Sequence, residues 1–504
     1  MDEKAEYADD IDISNIRNER GSKHLKHAKV DVQVGRIRVK ERLGLFAGIV
    51  FIIGAVIGSG IFISPLGALK NSGSVGASLL IWVACGILSI IIGLVYAELG
   101  VILPKSGGDY TIIRTGIGNI PAFLISWTTT TVTHAGSRAV LALVFADYLC
   151  APIFGACKAP DSIRKMIAAA QLLLLAITNT ISVNIVASVQ GLFTFLKVAA
   201  LVVITVGGFV YLFQGKTENF EDAFEGTTND VTSITLAVYS CMWAYGGYNN
   251  LNEIAEEMIN PKKNIPKSII ISLTLITLIY ISTNVSYFTL LSKDEFLSVN
   301  AVAFSWGERV LQAGAIFIPL SVMCSVYGAS NGGFFTDVRV RFAAARAGHL
   351  PEILCYLHHK TRIPLGALIF NTGVSILMLI PADVSELINL VSFIGFLTQG
   401  LSIVSFMKLR YHRRNKPVNK DDFRIPMVLA VIALLVCIFM VVSPFISNPK
   451  IEFLYGAGFI LSGLILYFPF VHFGWIIPGW DKVTTFFQLF MEMCPTVLDA
   501  DLDI

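Results

Sequence analysis

The chain is predicted to be an all-α integral membrane protein with twelve transmembrane helices. Of its 504 residues, 54% are hydrophobic and only 15% are charged, and the mean hydropathy is +0.68. Soluble domains carry roughly 25% charged residues. The apolar residues form about a dozen runs of 18 or more, long enough to cross a bilayer core of about 30 Å. This composition excludes an ordinary soluble enzyme, a secreted disulfide scaffold and a disordered chain.

The twelve predicted spans follow one another along most of the chain. Each is a predominantly apolar segment between polar or charged loops. They cover residues 44–69, 77–103, 120–149, 164–183, 188–213, 231–258, 267–291, 310–334, 364–381, 385–407, 425–445 and 452–474. We therefore expect a polar tail at 1–42, a membrane domain at 43–474 and a second tail at 475–504.

Lysine and arginine are distributed unequally between alternate loops. With the N-terminus placed inside, the inner segments between Arg17 and Arg424 hold 26 of these residues and the outer segments hold eight. Because positively charged loops remain on the cytoplasmic side, both termini are predicted to be cytoplasmic. The basic cluster from Arg17 to Arg42 is interpreted as a topology signal, with binding of anionic membrane lipid as the alternative. The net charge is only +2, and no basic patch alternates with aromatic residues, so nucleic acid is not expected as a partner.

Glycines interrupt the first and the sixth spans near their middles. Gly58 and Gly60 bracket Ser59 in the first span, and Gly246 and Gly247 are adjacent in the sixth. Glycine disfavours a helix by up to about 1 kcal/mol relative to alanine. Spans one and six hold corresponding places in two five-helix halves, and paired interruptions of this kind indicate an inverted-repeat transporter. Close packing through small residues is the alternative for the first span.

A helix broken inside the membrane exposes backbone groups that are tolerated only where they line a cavity. The half-helix beginning near Gly60 offers free N–H groups and about half a positive charge, which suit a carboxylate. The carbonyls that end the preceding halves, around Val56–Ile57 and Trp243–Tyr245, suit an ammonium group. A ligand that carries both groups close together is an α-amino acid.

Several motifs in these and neighbouring segments resemble those of a known family. The motifs are Ile57–Pro65 (IGSGIFISP), Lys105–Tyr110 (KSGGDY), Trp243–Tyr248 (WAYGGY) and Glu256–Pro261 (EEMINP). They are similar to the light chains of heteromeric amino acid transporters, in the amino acid–polyamine–organocation superfamily. The resemblance implies a LeuT-like 5+5 inverted repeat with discontinuous helices 1 and 6. It also implies exchange of L-amino acids across the plasma membrane by alternating access.

The resemblance further implies roles for residues around the two interruptions. The backbone amides of Ser59, Gly60 and Ile61 would hold the substrate carboxylate. Carbonyls from both spans would meet the amine, and the ring of Trp243 would close over the substrate side chain. The residues supplying those carbonyls are Val56, Trp243, Ala244 and Gly246, and Ile57 and Asn249 complete the predicted substrate site.

Lys197 lies in the fifth predicted span, far from either end. A lysine at such a depth costs roughly 2.5–3.5 kcal/mol on insertion scales and therefore needs a partner. The carbonyls beside the first interruption are available for this purpose. The resemblance implies that the ammonium replaces the sodium ion of sodium-coupled relatives. We therefore predict sodium-independent transport, with Lys197 as a structural and gating element. A lysine merely near a helix end is the alternative.

His134 and Arg138 lie four residues apart on one face of the third span. A basic residue is common in the family at the position of His134, whereas Arg138 is not typical. One interpretation is that Arg138 lines a water-filled vestibule or binds a polar group of the substrate. The other is that it pairs with a nearby carboxylate or carbonyl.

Cys157 lies in a predicted external loop, close to Cys150. The resemblance implies a disulfide from Cys157 to a single-pass glycoprotein subunit, the heavy chain, which would serve trafficking and stability. The oxidising conditions outside the cell permit such a bond. A bridge between Cys150 and Cys157 is the alternative.

The sequence gives mixed indications about the substrate side chain. Gly246 stands where the branch for dibasic amino acids and cystine has an aspartate, which favours neutral substrates, including large or aromatic ones. The segments 445–449 and 470–473 nevertheless resemble the dibasic branch. We predict a neutral amino acid exchanger, with a dibasic/neutral exchanger or a monomeric cationic transporter as alternatives.

An enzyme is not predicted. No cluster of His, Asp or Glu has catalytic spacing, and neither a metal-ligand set nor a cofactor motif is evident.

Overall fold

The structure is a computed structural model, and helices make up most of what it describes. The described residues are 44–103, 108–154, 159–181, 183–253, 258–299, 301–346, 348–359, 361, 363–380, 383–414, 423–446, 451–475 and 478–495.

Nineteen α-helices lie in these ranges. They are α1 Leu45–Val56, α2 Gly60–Ser72, α3 Val75–Ile102, α4 Gly108–Gly116, α5 Asn119–Thr128, α6 His134–Phe154, α7 Asp161–Ile181, α8 Val183–Phe213, α9 Val231–Tyr245, α10 Asn250–Glu253, α11 Pro261–Leu290, α12 Lys293–Ser298, α13 Val302–Leu311, α14 Phe317–Arg346, α15 Leu365–Met378, α16 Val384–His412, α17 Met427–Val442, α18 Ile451–Leu466 and α19 Trp480–Phe490. A π-helical segment, Thr129–Thr133, joins α5 to α6, and a second one, Tyr467–His472, follows α18.

Nine segments of the described chain are long and apolar enough to cross a membrane, counting α1 and α2 as one bent span. The other eight are α3, Asn119–Phe154, Phe195–Phe213, α11, Gly314–Arg346, α16, Met427–Phe445 and Phe453–His472. Large apolar side chains on these segments are exposed on the outer surface, among them Leu278 and Ile465, as expected for a lipid-facing surface. The chain is therefore a multi-pass membrane protein.

The three remaining predicted spans correspond to α7, α9 and α15. Helices α9 and α15 have 15 and 14 residues, which is short for a complete crossing. Helix α7 has 21 residues but is less apolar than the nine segments. The count of twelve spans therefore stays a prediction.

The predicted end of the eighth span, at residue 334, is wrong. Helix α14 continues to Arg346, through Gly332 and Gly333. A Cβ atom at Gly333 would lie 2.2 Å from Nη2 of Arg138, so the glycine leaves room for an arginine from α6. As a result Arg341, predicted from the sequence to lie in an inner loop, is buried within α14.

Several predicted loops and the second tail contain regular elements. Helices α4, α12, α13 and α19 are short and lie outside the nine long apolar segments. Strands β1 (Leu357–His358) and β2 (Met493–Cys494) pair antiparallel, joining the segment after α14 to the tail. Met493 is buried in a small second hydrophobic core, which also contains Phe334 and Tyr356.

The two interrupted spans lie side by side in the main core. Helix α2 packs along α9, and α11 packs against α1, α3 and α8. Helix α14 packs against both α6 and α8. The breaks predicted from the glycines are therefore surrounded by long helices that hold their positions.

Candidate functional site at the two helix breaks

The first predicted interruption is present between α1 and α2. Helix α1 ends at Val56 and α2 begins at Gly60, and the two axes differ by 52°. The first N–H groups of a helix have no intrahelical partner, so those at the start of α2 are available to a ligand. The amide of Phe62 donates to Ser59 O at 3.0 Å, which tightens this first turn.

The second interruption is present after α9. This helix ends at Tyr245, and the chain turns at residues 246–249 before α10 begins. The φ angle of Gly247 is +110°, a backbone conformation that residues other than glycine rarely adopt. The amide of Gly246 donates to Trp243 O at 3.3 Å, so one of the predicted amine-binding carbonyls already accepts a hydrogen bond.

The two breaks are in direct contact. A Cβ atom at Gly60 would lie 2.4 Å from Cα of Ala244, and one at Gly247 would lie 3.4 Å from the carbonyl of Ala55. The start of α2 therefore packs directly against the end of α9. This contact brings the positive end of one half-helix close to the carbonyl ends of two others.

Tyr280, on α11, joins the two carbonyl ends. Its hydroxyl oxygen lies 3.1 Å from Val56 O and 3.0 Å from Ala244 O. A hydroxyl has one proton, so the donation is shared or alternates, and each carbonyl keeps a lone pair for another donor. Tyr280 was not predicted from the sequence, since a tyrosine in an apolar helix carries no distinctive local signal.

The predicted substrate residues differ in exposure. Most are buried, Trp243 and Asn249 are half-buried, and Gly246 is exposed. The buried members are Val56, Ile57, Ser59, Gly60, Ile61 and Ala244. The site is thus a buried pair of helix ends with an accessible edge at the second break.

Lys197 is 1% exposed, and its Nζ donates to Gly54 O at 2.6 Å. Gly54 lies in the last turn of α1, two residues before the end of the helix. The ammonium therefore contacts a carbonyl beside the first break and links α8 to α1.

Arg138 and His134 contact the same carboxylate. Arg138 Nε lies 3.1 Å from Asp337 Oδ2, and His134 Nδ1 lies 3.3 Å from Asp337 Oδ1. Arg138 Nη1 also donates to the carbonyls of Ala329 and Ser330. The structure thus shows the pairing interpretation of Arg138. Asp337 was not predicted as the partner of Arg138, because the eighth span was predicted to end before it.

Cys157, predicted to hold the heavy chain, lies outside the described residues, and so do residues 254–257 beside the second break. Cys150 is buried at the end of α6. The intersubunit disulfide stays a prediction.

Among the described residues, one group has metal-ligand chemistry. The ligand atoms of His358, His359 and Glu492, beside strands β1 and β2, lie within 4.8 Å of one another. His359 pairs with Glu492 at 3.2 Å, and His358 Nδ1 contacts the amide of Thr361 at 3.2 Å.

Known proteins resemble this chain along most of its length. Residues 43–470 match the family model described as amino acid permease. The chain is 39% identical to b(0,+)-type amino acid transporter 1 of Mus musculus, over 97% of this chain and 100% of the mouse protein. It is 38% identical to the cystine/glutamate transporter of Homo sapiens, over 93% and 91% of the two chains. It is 37% identical to large neutral amino acids transporter small subunit 2 of Mus musculus, over 90% and 86%.

These matches confirm the resemblance found in the motifs. The family match covers both interrupted helices and the long apolar helices around them. The chain therefore belongs to the amino acid permease family.

Proposed function

We propose that this protein exchanges L-amino acids across the plasma membrane by alternating access, without sodium. The contact between the two breaks is the observation that supports this most directly. Gly60 packs against Ala244, and the carbonyls of Val56 and Ala244 lie within reach of one hydroxyl. Opposite partial charges at one place match the carboxylate and ammonium groups of an amino acid.

The backbone groups divide the work of binding. The amides of Ser59, Gly60 and Ile61 hold the carboxylate of the substrate. Carbonyls at the ends of α1 and α9 hold its amine, and Trp243 closes over its side chain, beside Ile57 and Asn249. The residues supplying those carbonyls are Val56, Trp243, Ala244 and Gly246.

The position of Lys197 supports sodium independence. Its ammonium lies 2.6 Å from the carbonyl of Gly54, a group that would otherwise be available to coordinate a cation. A second positive charge at this place would be repelled. Replacing sodium by choline in the medium should leave the exchange rate unchanged, and loss of exchange in choline would contradict this role of Lys197.

Twelve spans in a LeuT-like inverted repeat, with helices 1 and 6 discontinuous, form the proposed architecture. Helices α7, α9 and α15 supply the three spans beyond the nine long apolar segments. The bundle that carries the two breaks rocks against the remaining helices. Exchange rather than net flow follows if substrate supplies the stabilisation that the occluded state needs.

Neutral amino acids, including large and aromatic ones, are the proposed substrates. Gly246 places no carboxylate at the second break to balance a cationic side chain. A second candidate, an exchanger of dibasic and neutral amino acids, is supported by the resemblance of segments 445–449 and 470–473 to the dibasic branch.

A single-pass glycoprotein is the proposed partner, linked through a disulfide at Cys157, with both termini of the light chain in the cytoplasm. The name of a mouse relative, a "small subunit", supports assembly with a second chain. Co-expressed glycoprotein and wild-type chain should migrate together on a non-reducing gel, whereas Cys157→Ser should migrate alone. Co-migration of the variant would contradict the link.

Reconstituted protein tests the exchange itself. Proteoliposomes loaded with unlabelled leucine should take up labelled neutral amino acids rapidly, and unloaded vesicles should take them up slowly. A panel that adds lysine and arginine separates the two candidate substrate classes. Equal uptake by loaded and unloaded vesicles would contradict exchange, and binding without uptake would contradict transport.

A further inference from the structure

Four ionisable side chains, three of them buried and one half-buried, form a cluster between α6 and α14. They are His134, Arg138, Asp337 and Arg341. Asp337 is 3% exposed and Arg341 is 0% exposed. The single carboxylate contacts Arg138 at 3.1 Å and His134 at 3.3 Å. Arg341 lies one helical turn after Asp337, but its guanidinium makes no ion pair with a described residue.

The cluster carries an unbalanced positive charge. The cluster contains two guanidinium groups and one carboxylate, and a guanidinium stays protonated in proteins. With His134 neutral the sum is +1, and protonation of the histidine would raise it further. No second carboxylate among the described residues pairs with either arginine. A net charge inside a membrane-spanning bundle is unfavourable unless something compensates it.

Arg341 has hydrogen-bonding capacity that the described residues do not use. Its Nη2 donates to Thr130 O at 2.6 Å, whereas its buried Nε and Nη1 have no hydrogen-bond partner in the described part of the chain. Thr130 lies in the π-helical segment 129–133. Such segments leave carbonyls outside the regular helical pattern and are frequent at functional sites.

Two hydroxyls add further donors. Thr130 and Ser330 are the residues whose carbonyls accept from Arg341 and Arg138. Their own hydroxyl groups are buried and have no hydrogen-bond partner in the described ranges. Free guanidinium N–H groups favour a ligand that accepts hydrogen bonds and carries negative charge, and a free hydroxyl can donate to the same kind of ligand.

We propose that this cluster is a binding site for a small monovalent inorganic anion such as chloride, with Arg341 as its main donor. One negative charge makes the cluster neutral, and the unused N–H groups gain an acceptor. The site is also linked to the first break through packing contacts. Arg138 holds the carbonyl of Ala329, and a Cβ atom at Gly58 would lie 3.4 Å from Ala329 Cβ. Bound anion therefore stabilises the packing behind that break.

Thermal unfolding of the full-length protein in detergent tests the site without using transport. The probe is sodium chloride against sodium gluconate at constant ionic strength, with no amino acid present. The wild-type Tm should rise with chloride and saturate, because a ligand that binds only the folded state stabilises it. Equal Tm values in the two salts would overturn the proposal.

Variants that change the charge of the cluster in opposite directions give the decisive comparison. Arg341→Gln makes the net charge of the cluster zero, and this variant should lose the chloride-dependent rise in Tm. Asp337→Asn raises the sum to +2 and should reach half-saturation at a roughly tenfold lower chloride concentration, because added positive charge strengthens anion binding. Arg309→Gln, at an exposed ion pair with Glu295, is the control and should keep the wild-type response.

Retention of the shift by Arg341→Gln would overturn the proposal. If that variant does not fold, Asp337→Asn decides, and an unchanged or weaker chloride affinity overturns the proposal in the same way.

Measurements of the exchange rate distinguish the anion site from the proposed function. This readout rests on the proposed function, whereas the Tm readout does not. Exchange in proteoliposomes should be several-fold faster in chloride than in gluconate. A chloride-dependent Tm in a protein that does not exchange amino acids would support the anion site and contradict the function. Exchange with no chloride effect on either the rate or Tm would support the function and contradict the anion site.

Discussion

At the scale of single residues, the breaks depend on how closely two backbones approach. Gly60 is needed because Ala244 lies against it, while Gly247 is needed because its φ angle is positive. The two glycines thus serve different purposes in adjacent helix ends. A side chain at Gly60 would have to displace backbone, which cannot move aside as a flexible side chain can.

We predict that Gly60→Ala abolishes most exchange and lowers Tm. The added Cβ atom would lie 2.4 Å from Cα of Ala244, and overpacking of this kind costs about 1–3 kcal/mol. Exchange in proteoliposomes and Tm in detergent measure the effect. The matched control is Gly373→Ala in α15, where the added Cβ meets no other described segment within 4 Å. Wild-type exchange by Gly60→Ala would contradict the close contact.

Tyr280→Phe should lower stability by about 1–3 kcal/mol, because it deprives the carbonyls of Val56 and Ala244 of a donor. The KM for substrate should also change, since in the proposed site the substrate amine binds the same carbonyls as the hydroxyl. Tyr287→Phe, on the same helix, is the control, because its buried hydroxyl has no hydrogen-bond partner among the described residues. Equal effects of the two substitutions would show that the hydroxyl of Tyr280 has no special role.

At the scale of helices, single polar contacts fix neighbouring segments. Lys197 ties α8 to the last turn of α1, and Arg138 ties α6 to α14. Both contacts use main-chain carbonyls, so they depend on helix position more than on the identity of the partner residue. The last turn of α1 is therefore held from α8, and α14 is held from α6.

Lys197→Met preserves the length and apolar character of the side chain but removes the donor to Gly54 O. We expect at least about a tenfold loss of exchange, the factor that corresponds to 1.4 kcal/mol, because α1 loses its link to α8. Lys165→Met, which removes an ion pair with Asp161 near the start of α7, is the control and should exchange normally. Wild-type exchange by Lys197→Met would remove the proposed gating role.

At the scale of the whole molecule, His349 joins distant parts of the chain. It follows α14, contacts the hydroxyl of Tyr110 in α4 at 2.9 Å, and packs edge-on against the ring of Phe123 in α5. Burial, with a smaller contribution from Arg114, lowers the pKa of His349 from 6.5 to about 4. The folded protein therefore favours the neutral form.

Acid should destabilise the protein through this residue. A histidine whose pKa is lowered in the folded state contributes fully to the free energy of unfolding above pH 6.5. That contribution is lost as the pH falls from 6.5 toward 4. At 1.36 kcal/mol per unit, the loss is about 3 kcal/mol. Tm measured from pH 7.5 to pH 4.5 should fall, and His349→Gln should flatten that slope. An unchanged slope in the variant would assign the acid sensitivity to other groups.

The predictions that failed concern residues whose partners lie on other helices, far away in the chain. The segment 335–346 contains Asp337 and Arg341, and charged residues indicate a loop when only local polarity is considered. In the structure the helix continues because Arg138, about 200 positions earlier, supplies a counter-charge and Gly333 makes room for it. Tyr280 was missed for the same reason, since its two acceptors come from other helices.

Local sequence alone determined the membrane-spanning class, most of the long apolar helices and the places of both breaks. Hydrophobicity and glycine propensity act on neighbouring residues, so these features are legible without knowledge of the fold. Tertiary structure alone decided that the breaks touch, that Tyr280 joins them, and that Arg138 pairs with Asp337 while Arg341 does not. Those facts depend on which helix faces meet, and packing between segments far apart in the chain sets that.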